Sequence, residues 1–474
     1  MPRPKDTTEP QVTDGRSTAR YDNCGWINQR LISGIEYVSV DSLKAYANNP
    51  RRHPKRQRNR LDRSLAAFGF VMPVIVDDEN VVVAGEALTE AARHLGYTKV
   101  PVVRIHHLAP DAIKALRIAL NRLPELAEWD EEKLAFEFQA LVEVDFDVEL
   151  TGFDNAEIDL TIDHAFAPVA AAPADQVPAI EDVAVTRLGD LWQLDEHLVL
   201  CGDAREPEAY SAVLQGRLAV VTTTDPPYNV RVRGNVCGSG AIKHDDFVMA
   251  SGEMSKEEFR DFLEAFTRNA IQSSTPGSLH FIFMDWRHLR VLQEVCDKFY
   301  GPQVNLCVWV KSNGGMGSLF RSRHELVVVY KNGTAPHVNN VQLGRYGRNR
   351  TNVWEYEGAN SLSVERRADL ALHPTVKPVA MIADVIRDAS NRGDLILDPF
   401  LGSGTAVIAC EQTGRVCAGL ELDPKYVDVA VRRWQAYTGN KARHAHTGMT
   451  FDEMADLRQG KMLLLPPPAS GGEV

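Results

Sequence analysis

Two stretches combine residue types and spacings suited to chemistry. The first is DLILDPFLGSGTAVIAC, residues 394 to 410. An apolar strand ends at Asp398, the turn Phe400-Leu401-Gly402-Ser403-Gly404 follows, and a helix is expected from Thr405. Glycines at a strand-to-helix turn let backbone approach a ligand, and the helix start offers free N–H groups. Some sixteen residues on, the next strand, VCAGLEL, ends at Glu421. An acid there is placed to bind the hydroxyl pair of a ribose. The turn is neither G-x-G-x-x-G nor G-x-x-x-x-G-K-[ST], which disfavours a dinucleotide and a nucleoside triphosphate and leaves a nucleoside. A tight turn with no ligand is the plainer alternative.

The second stretch follows RLAVVTTT, whose apolar run stops at Asp225-Pro226-Pro227-Tyr228. In a wound α/β unit, ligands gather at the carboxyl ends of the strands, so this tetrapeptide is expected to share a rim with the glycine turn. An exocyclic amine on a nucleobase is a poor nucleophile because its lone pair is delocalised into the ring. A carboxylate and a carbonyl that accept its N–H hydrogens draw the nitrogen toward sp3 and free that pair. Asp225 offers the carboxylate, and Pro226 offers a carbonyl with no competing N–H. Two prolines stiffen the loop and preorganise the acceptors. Tyr228 offers a flat face for a flipped-out base.

With these residues in view, the part from about 184 to 440 resembles the DNA amino methyltransferases that use S-adenosyl-L-methionine. DPPY looks like their catalytic motif, DPFLGSGT like their cofactor loop and LELDPKY like their ribose-binding acid. The catalytic motif precedes the cofactor loop, which resembles the permuted beta class. LCGDA, HPTVKP (residues 373 to 378), WVKSNGGMGSLFRSRHELVVVYKNG and NRTNVWEY are similar to other segments of that class. The resemblance implies a Rossmann-like sheet and a methyl group passed by direct displacement onto an exocyclic amine in double-stranded DNA. It casts Asp225, Pro226, Pro227 and Tyr228 as catalytic. It casts Asp203, Lys377, Asp398, Pro399, Phe400, Gly402, Ser403, Gly404, Thr405 and Glu421 as cofactor-binding. Methylation at cytosine C5 needs a cysteine nucleophile, usually one following a proline, and none of the seven cysteines follows a proline. Adenine N6 and cytosine N4 remain. Asp at the first motif position leans toward adenine, since the cytosine enzymes more often resemble Ser-Pro-Pro-Tyr.

Between Lys311 and Arg350 lie seven Lys or Arg and one acid, Glu325. Lys311, Arg321, Arg323, Arg345, Arg348 and Arg350 are therefore expected to face DNA, within a target-recognition region of about 229 to 370. The total charge of -12 gives no such hint, so the charge pattern is informative only locally.

The elements that must position these groups alternate strand and helix from about 185 to 445, which predicts a doubly wound, largely parallel sheet. Residues 31 to 122 read as a smaller α/β unit. VSVDSLKAYANNPRRH and FGFVMPVIVDDENVVVAGEALTEAARHLGYTKVPVVRI resemble the ParB-like, or sulfiredoxin-like, domain. The family's basic residue after the glycine is missing in Gly85-Glu86-Ala87-Leu88-Thr89, which puts nucleotide hydrolysis and nuclease activity in doubt. The basic stretch Arg51 to Arg63 is either a DNA contact or a solvated loop. Residues 1 to 30 read as disordered, 123 to 164 as a helical extension, 165 to 184 as an Ala/Pro linker and 446 to 474 as a flexible tail.

At 44% hydrophobic and 24% charged residues, the composition is that of a globular protein. No apolar run of membrane length, no signal-peptide pattern and no C-x-x-C spacing is found, so a reduced, cytoplasmic location without membrane or metal is expected. A homodimer and a restriction-modification partner are left open. So are a protein that binds DNA without catalysis and, as a third reading, methylation of RNA or of protein glutamine.

Overall fold

The computed structural model describes residues 34–144, 146–166, 174–230, 252–311, 320–341, 350–356 and 376–459. The chain divides into two compact units: residues to Asp130 with Glu149–Gly152, and Glu131–Val148 with Phe153 onward.

The first unit holds β1 (Glu36–Ser39), α1 (Lys55–Phe68), β2 (Val74–Val76), β3 (Val82–Ala84), α2 (Glu86–His94), β4 (Lys99–Arg104) and α3 (Pro110–Arg122). Its sheet runs β1-β4-β2-β3, with β2 and β4 parallel. Val74, Val76, Val100 and Val102 fill the core beneath Leu65 and Ala92. The basic stretch expected as a loop is largely helical: it spans the start of α1, where Arg58 faces Glu90. Gly85, at φ 96°, takes the left-handed conformation that a side chain resists, and Val74 lies 3.4 Å from where a Cβ would sit. Glu86 beside it accepts from Asn49 Nδ2 at 2.7 Å, in place of a phosphate-gripping cation.

The second unit begins with α4 (Glu131–Glu143) and α5 (Asn155–Ala165). Then follow β5 (Leu191–Leu194), β6 (His197–Cys201), α6 (Pro207–Leu214), β7 (Ala219–Thr224), α7 (Lys256–Gln272), β8 (Ser274–Met284) and α8 (Leu289–Phe299). Next are β9 (Asn305–Val310), β10 (His324–Lys331), β11 (Val353–Glu355), α9 (Val379–Ala389), β12 (Leu395–Asp398), α10 (Thr405–Thr413), β13 (Val416–Glu421) and α11 (Pro424–Thr438). β14 (Arg443–His444) and α12 (Phe451–Arg458) close the unit.

Ten strands form one sheet in the order β11-β9-β10-β8-β7-β12-β13-β6-β5-β14. The central strands β8, β7, β12, β13 and β6 are parallel. They are buried on both faces, which is why LILD and VCAGLE read as continuous apolar runs. The edges depart from the expected pattern. β5 and β6 form an antiparallel hairpin, and β10 lies antiparallel to both β8 and β9. The fold is thus α/β with a parallel centre and mixed flanks.

Three expectations about boundaries change. Residues 451–458, expected in a flexible tail, form α12: Phe451 and Met454 are buried, and Arg458 Nη2 donates to Asp190 Oδ1 at 3.0 Å. The second half of the expected linker packs down, with Ala174 buried and its carbonyl accepting from Arg433 at 2.9 Å. The helical extension is divided: residues 123–130 and 149–152 belong to the smaller unit, and its helices α4 and α5 to the larger. α5 is fixed there by Asp159, which receives Arg415 at 2.7 Å and Arg392 at 2.8 Å. Asp163 receives Arg387 at 2.8 Å. Residues 1–33 and 460–474, and residues 167–173 of the linker, lie outside the described residues.

Arg415 and Asp159 are 0% and 2% exposed at their side chains, so removing the carboxylate strands a buried cation. Asp159→Ala is expected to lower the unfolding free energy by about 3–5 kcal/mol, measured as a drop in the urea midpoint. An unchanged midpoint would show that the pair holds nothing.

Candidate active site

Four parallel strands end on one rim. In register, Thr224 of β7 faces Ile282 of β8, Thr222 faces Leu397 of β12, Asp398 faces Gly419 of β13 and Glu421 faces Cys201 of β6. Asp225, Asp398, Glu421 and Asp203 therefore stand one per strand along the carboxyl edge.

The tetrapeptide after β7 is fastened at both ends. Tyr228 donates its hydroxyl to Asp225 Oδ1 and lies 3.4 Å from Glu325 Oε2. Asn229, left-handed at φ 55°, bonds Met254 O through Nδ2 at 2.9 Å. Its Oδ1 accepts from the N–H groups of Gly252 and Met254, at 3.0 and 3.2 Å. Lys377, 8% exposed, donates to Asp225 Oδ2 and reaches Glu325 Oε2 at 3.2 Å. Lys311 donates to the other Glu325 oxygen. Both ammonium groups also lie over rings: Lys377 is 5.2 Å from the Phe283 centroid and Lys311 is 4.8 Å from that of Trp309.

This cluster settles who carries charge. Burial disfavours an ionised Glu325, yet Lys377 and Lys311 hold it down to about 2. Burial likewise works against the Lys377 cation, and Asp225 and Glu325 push it up to about 12. Asp225 moves above the usual carboxylate range, through burial first and the Glu325 charge second, with Lys377 opposing. Its side chain keeps 25% of its surface exposed, so a substrate amine can reach it.

The glycine turn is built as a cradle. Leu401 N donates to Leu420 O at 2.8 Å, and Gly402 N donates to Glu421 Oε2 at 2.8 Å. Gly402 is left-handed at φ 55° with open space where a Cβ would point. Phe400 packs on Phe262 and Phe266 of α7 at 5.6 and 5.2 Å between centroids. Asp398 and Glu421 have no cation partner within 4 Å among the described residues. Burial pushes them up to about 8 and about 7. Two such carboxylates beside an open glycine turn fit a ligand that brings hydrogen-bond donors or a cation, as a nucleoside bearing an amino acid does.

Several expected contacts look elsewhere. The hydroxyls of Ser403 and Thr405 face inward to the buried Arg433, at 3.3 and 3.2 Å, leaving only their backbone to the cradle. The Asp203 carboxylate is occupied by Arg205 at 3.0 Å. The Lys377 ammonium points at Asp225 and Glu325, not at the glycine turn. Of the residues expected on DNA, Lys311 is tied to Glu325, and Arg350 is tied to Asp384 at 2.6 Å and Asp388 at 3.0 Å. Arg321 and Arg323 are exposed, and Arg345 and Arg348 lie outside the described residues. Two residues escaped sequence reasoning. Glu325 registered as the single acid in a basic run, inside a segment similar to the methyltransferase class, with no role given to it. Trp286, 57% exposed just past β8 with the Arg287 guanidinium 4.7 Å from its ring centroid, lies in no motif.

Residues 220–432 match the family described as DNA methylase, and residues 132–188 match the ParB-methyltransferase HTH domain. The chain therefore carries a DNA methylase domain preceded by a ParB-methyltransferase HTH domain. It is 24% identical over 224 residues to the type II methyltransferase M.HpaI of Haemophilus parainfluenzae, covering 44% of this chain and 66% of that protein. It is 43% identical over 94 residues to M.ScaI of Streptomyces caespitosus, covering 19% of this chain and 30% of that one. The matches thus span less than two thirds of these relatives' lengths. Among solved structures, the PvuII DNA methyltransferase (cytosine-N4-specific) aligns with a TM-score of 0.39 at 15% identity, over 56% of this chain and 92% of that one. No helix among the described residues is long and apolar enough to cross a membrane.

Gly404, at φ 82°, would place a Cβ 2.8 Å from that of Ala430. Gly404→Ala is expected to cost about 1–3 kcal/mol, read as a lowered thermal midpoint, with the cradle distorted along with it.

Proposed function

We propose that the chain transfers a methyl group from S-adenosyl-L-methionine to the exocyclic N6 of adenine in double-stranded DNA, on a base flipped out of the helix. The observation that carries this reading is the Asp225 carboxylate, held between a phenol and an ammonium on the rim it shares with the Gly402–Glu421 cradle. When bound, the sulfonium supplies an electrophilic methyl group. Glu421 and the backbone of the 400–405 turn hold the nucleoside, and Asp398 lies where a cationic or hydroxyl donor would be met. Asp225 and the Pro226 carbonyl accept the N–H hydrogens of the target amine and free its lone pair. Asp225 then takes the proton that the nitrogen sheds. The Tyr228 ring, fixed through its hydroxyl, presents a stacking face.

DNA is assigned to Arg321, Arg323 and the Trp286–Arg287 pair. An indole capped by a guanidinium at a strand exit suits a base and its phosphate. By contrast α4 exposes Glu131, Glu132, Glu137 and Glu143 beside a lone Lys133, a surface that repels phosphate. Cytosine N4 is the alternative acceptor and leaves the residue roles unchanged.

Labelled methyl donor and unmethylated DNA, digested to nucleosides, test the reading by mass. N6-methyladenine is the expected product. N4-methylcytosine would change the base, and bound DNA with no label would favour a DNA-binding protein. Asp225→Ala is expected to abolish turnover while the donor still binds; loss of donor binding would mean the roles are misassigned. Trp286→Ala is expected to raise the KM for DNA about tenfold, consistent with one lost stacking contact of ~1–3 kcal/mol, and to spare donor affinity. Hydrogen-bond donors favour ionised carboxylates, and Asp398 and Glu421 take up protons near 8 and 7. Donor affinity is therefore expected to rise from pH 6 to pH 8 with proton release, measured by calorimetry in two buffers. A flat profile would place the ligand away from these acids.

A further inference from the structure

We propose that Glu325 is a positioning residue of the methyl-acceptor site. It holds the Lys377 ammonium on one oxygen of Asp225, beside the Tyr228 hydroxyl that donates to the other, so that the carboxylate turns its remaining lone pairs to the incoming amine. The inference rests on the reading of Asp225 as the amine acceptor.

Glu325 comes from β10, outside both motifs, and stands opposite Trp309 of β9. Nothing about a sheet position calls for an acid there. A second carboxylate beside Asp225 works against ionising either, and an apolar side chain would avoid that conflict. What Glu325 provides is a closed ring of contacts. Its Oε2 takes Lys377 at 3.2 Å and meets the Tyr228 hydroxyl at 3.4 Å. Lys377 and Tyr228 in turn occupy one Asp225 oxygen each. Lys311 holds the far oxygen of Glu325 and keeps the ring from rotating. Lysine is a flexible point charge on a four-carbon stem, so a single partner would leave its direction loose. Two partners define it. Each Asp225 oxygen then has one internal donor and one lone pair left for an incoming amine.

The ring also gives the two bridging residues opposite electrostatic effects on Asp225. The charges around this carboxylate are Lys377 before α9, Glu325 on β10, Lys311 at the end of β9, the Tyr228 phenol, and Asp398 at the end of β12. Asp285 beyond β8 and Glu421 on β13 stand further along the rim. Removing the Lys377 charge leaves anions beside Asp225 and raises the pH at which it ionises. Removing the Glu325 charge leaves Lys377 to Asp225 alone and lowers that pH. Turnover needs the ionised form, so it is lost as pH falls through that value.

The test is steady-state methyl transfer by the full chain on unmethylated DNA, across the pH range, for E325Q, K377Q and K377R. E325Q is expected to lower the plateau kcat by about 10- to 100-fold, the scale of a misplaced reacting group. KM for S-adenosyl-L-methionine is expected to stay within about twofold of native, because neither variant touches the cradle. The acid limb of the kcat profile is expected to move to lower pH in E325Q, to higher pH in K377Q, and back toward native in K377R. Limbs that move the same way, or an E325Q with native kcat and native limb, would overturn the proposal. A donor KM raised as far as kcat falls would instead place Glu325 in the cradle and overturn it too. A native chain that transfers no methyl group overturns the functional reading itself, and so is distinguishable from failure of this inference alone.

Discussion

Negative charge must be held at the carboxyl edge of a parallel sheet, out of most of the water, and the rest of the second unit is arranged around that demand. A carboxylate taken from water without compensation costs several kcal/mol. This edge carries four acids, one at the end of each of four strands, and compensates them in different ways. Asp225 receives an ammonium and a phenol. Asp203 receives a guanidinium. Glu421 receives the N–H groups of Gly402 and Asp423 at 2.8 and 2.9 Å, and burial leaves it proton-hungry. Asp398 has a single backbone donor, Phe400 N at 3.1 Å. The least compensated acids flank the glycine cradle, where a ligand can supply what is missing. Asp203, paired with Arg205, is the best compensated, and Asp225 stands between, its ammonium and phenol working against burial and the Glu325 charge.

The compensation explains why distant parts of the sequence meet. Lys377 precedes α9, Lys311 follows β9 and Glu325 is the second residue of β10. The antiparallel flank of the sheet, which strand–helix alternation did not foretell, brings the last two to the rim. Without β9 and β10, the Lys377 ammonium would have Asp225 as its one carboxylate partner.

Much of the fold and half of the site could be read from the residues. Strands buried on both faces show as unbroken apolar runs, so LILD and VCAGLE were plain. The glycine turn, its paired acid and the Asp-Pro-Pro-Tyr tetrapeptide are local in sequence, so their chemistry could be argued from spacing. What could not be read were contacts set by tertiary pairing. Lys311 and Arg350 look like any other basic residues in a basic run, and only the fold shows them bound to Glu325 and to Asp384 and Asp388. Ser403 and Thr405 sit in the right turn, yet Arg433 from α11 turns their hydroxyls inward. The helix after residue 450 was missed because PPPASGGEV dominates the tail's composition, while Phe451 and Met454 anchor only through the core they meet. Asp159 and Asp163 belong to no motif, and three arginines from the methylase domain make them the fastening of α5.

Asn229 has a consequence for how such a chain can change. One side chain joins the residue after the Asp-Pro-Pro-Tyr tetrapeptide to Gly252 and Met254, so the chain positions 229 and 252–254 are held together at a single staple. Loop-closure entropy grows only slowly with length, and the ends here are already held together. The chain between them can therefore lengthen, shorten or be exchanged while Asp225 and Tyr228 keep their places. A change in chain length between Asn229 and Gly252 is thus expected to be absorbed at this staple before it reaches Asp225 and Tyr228.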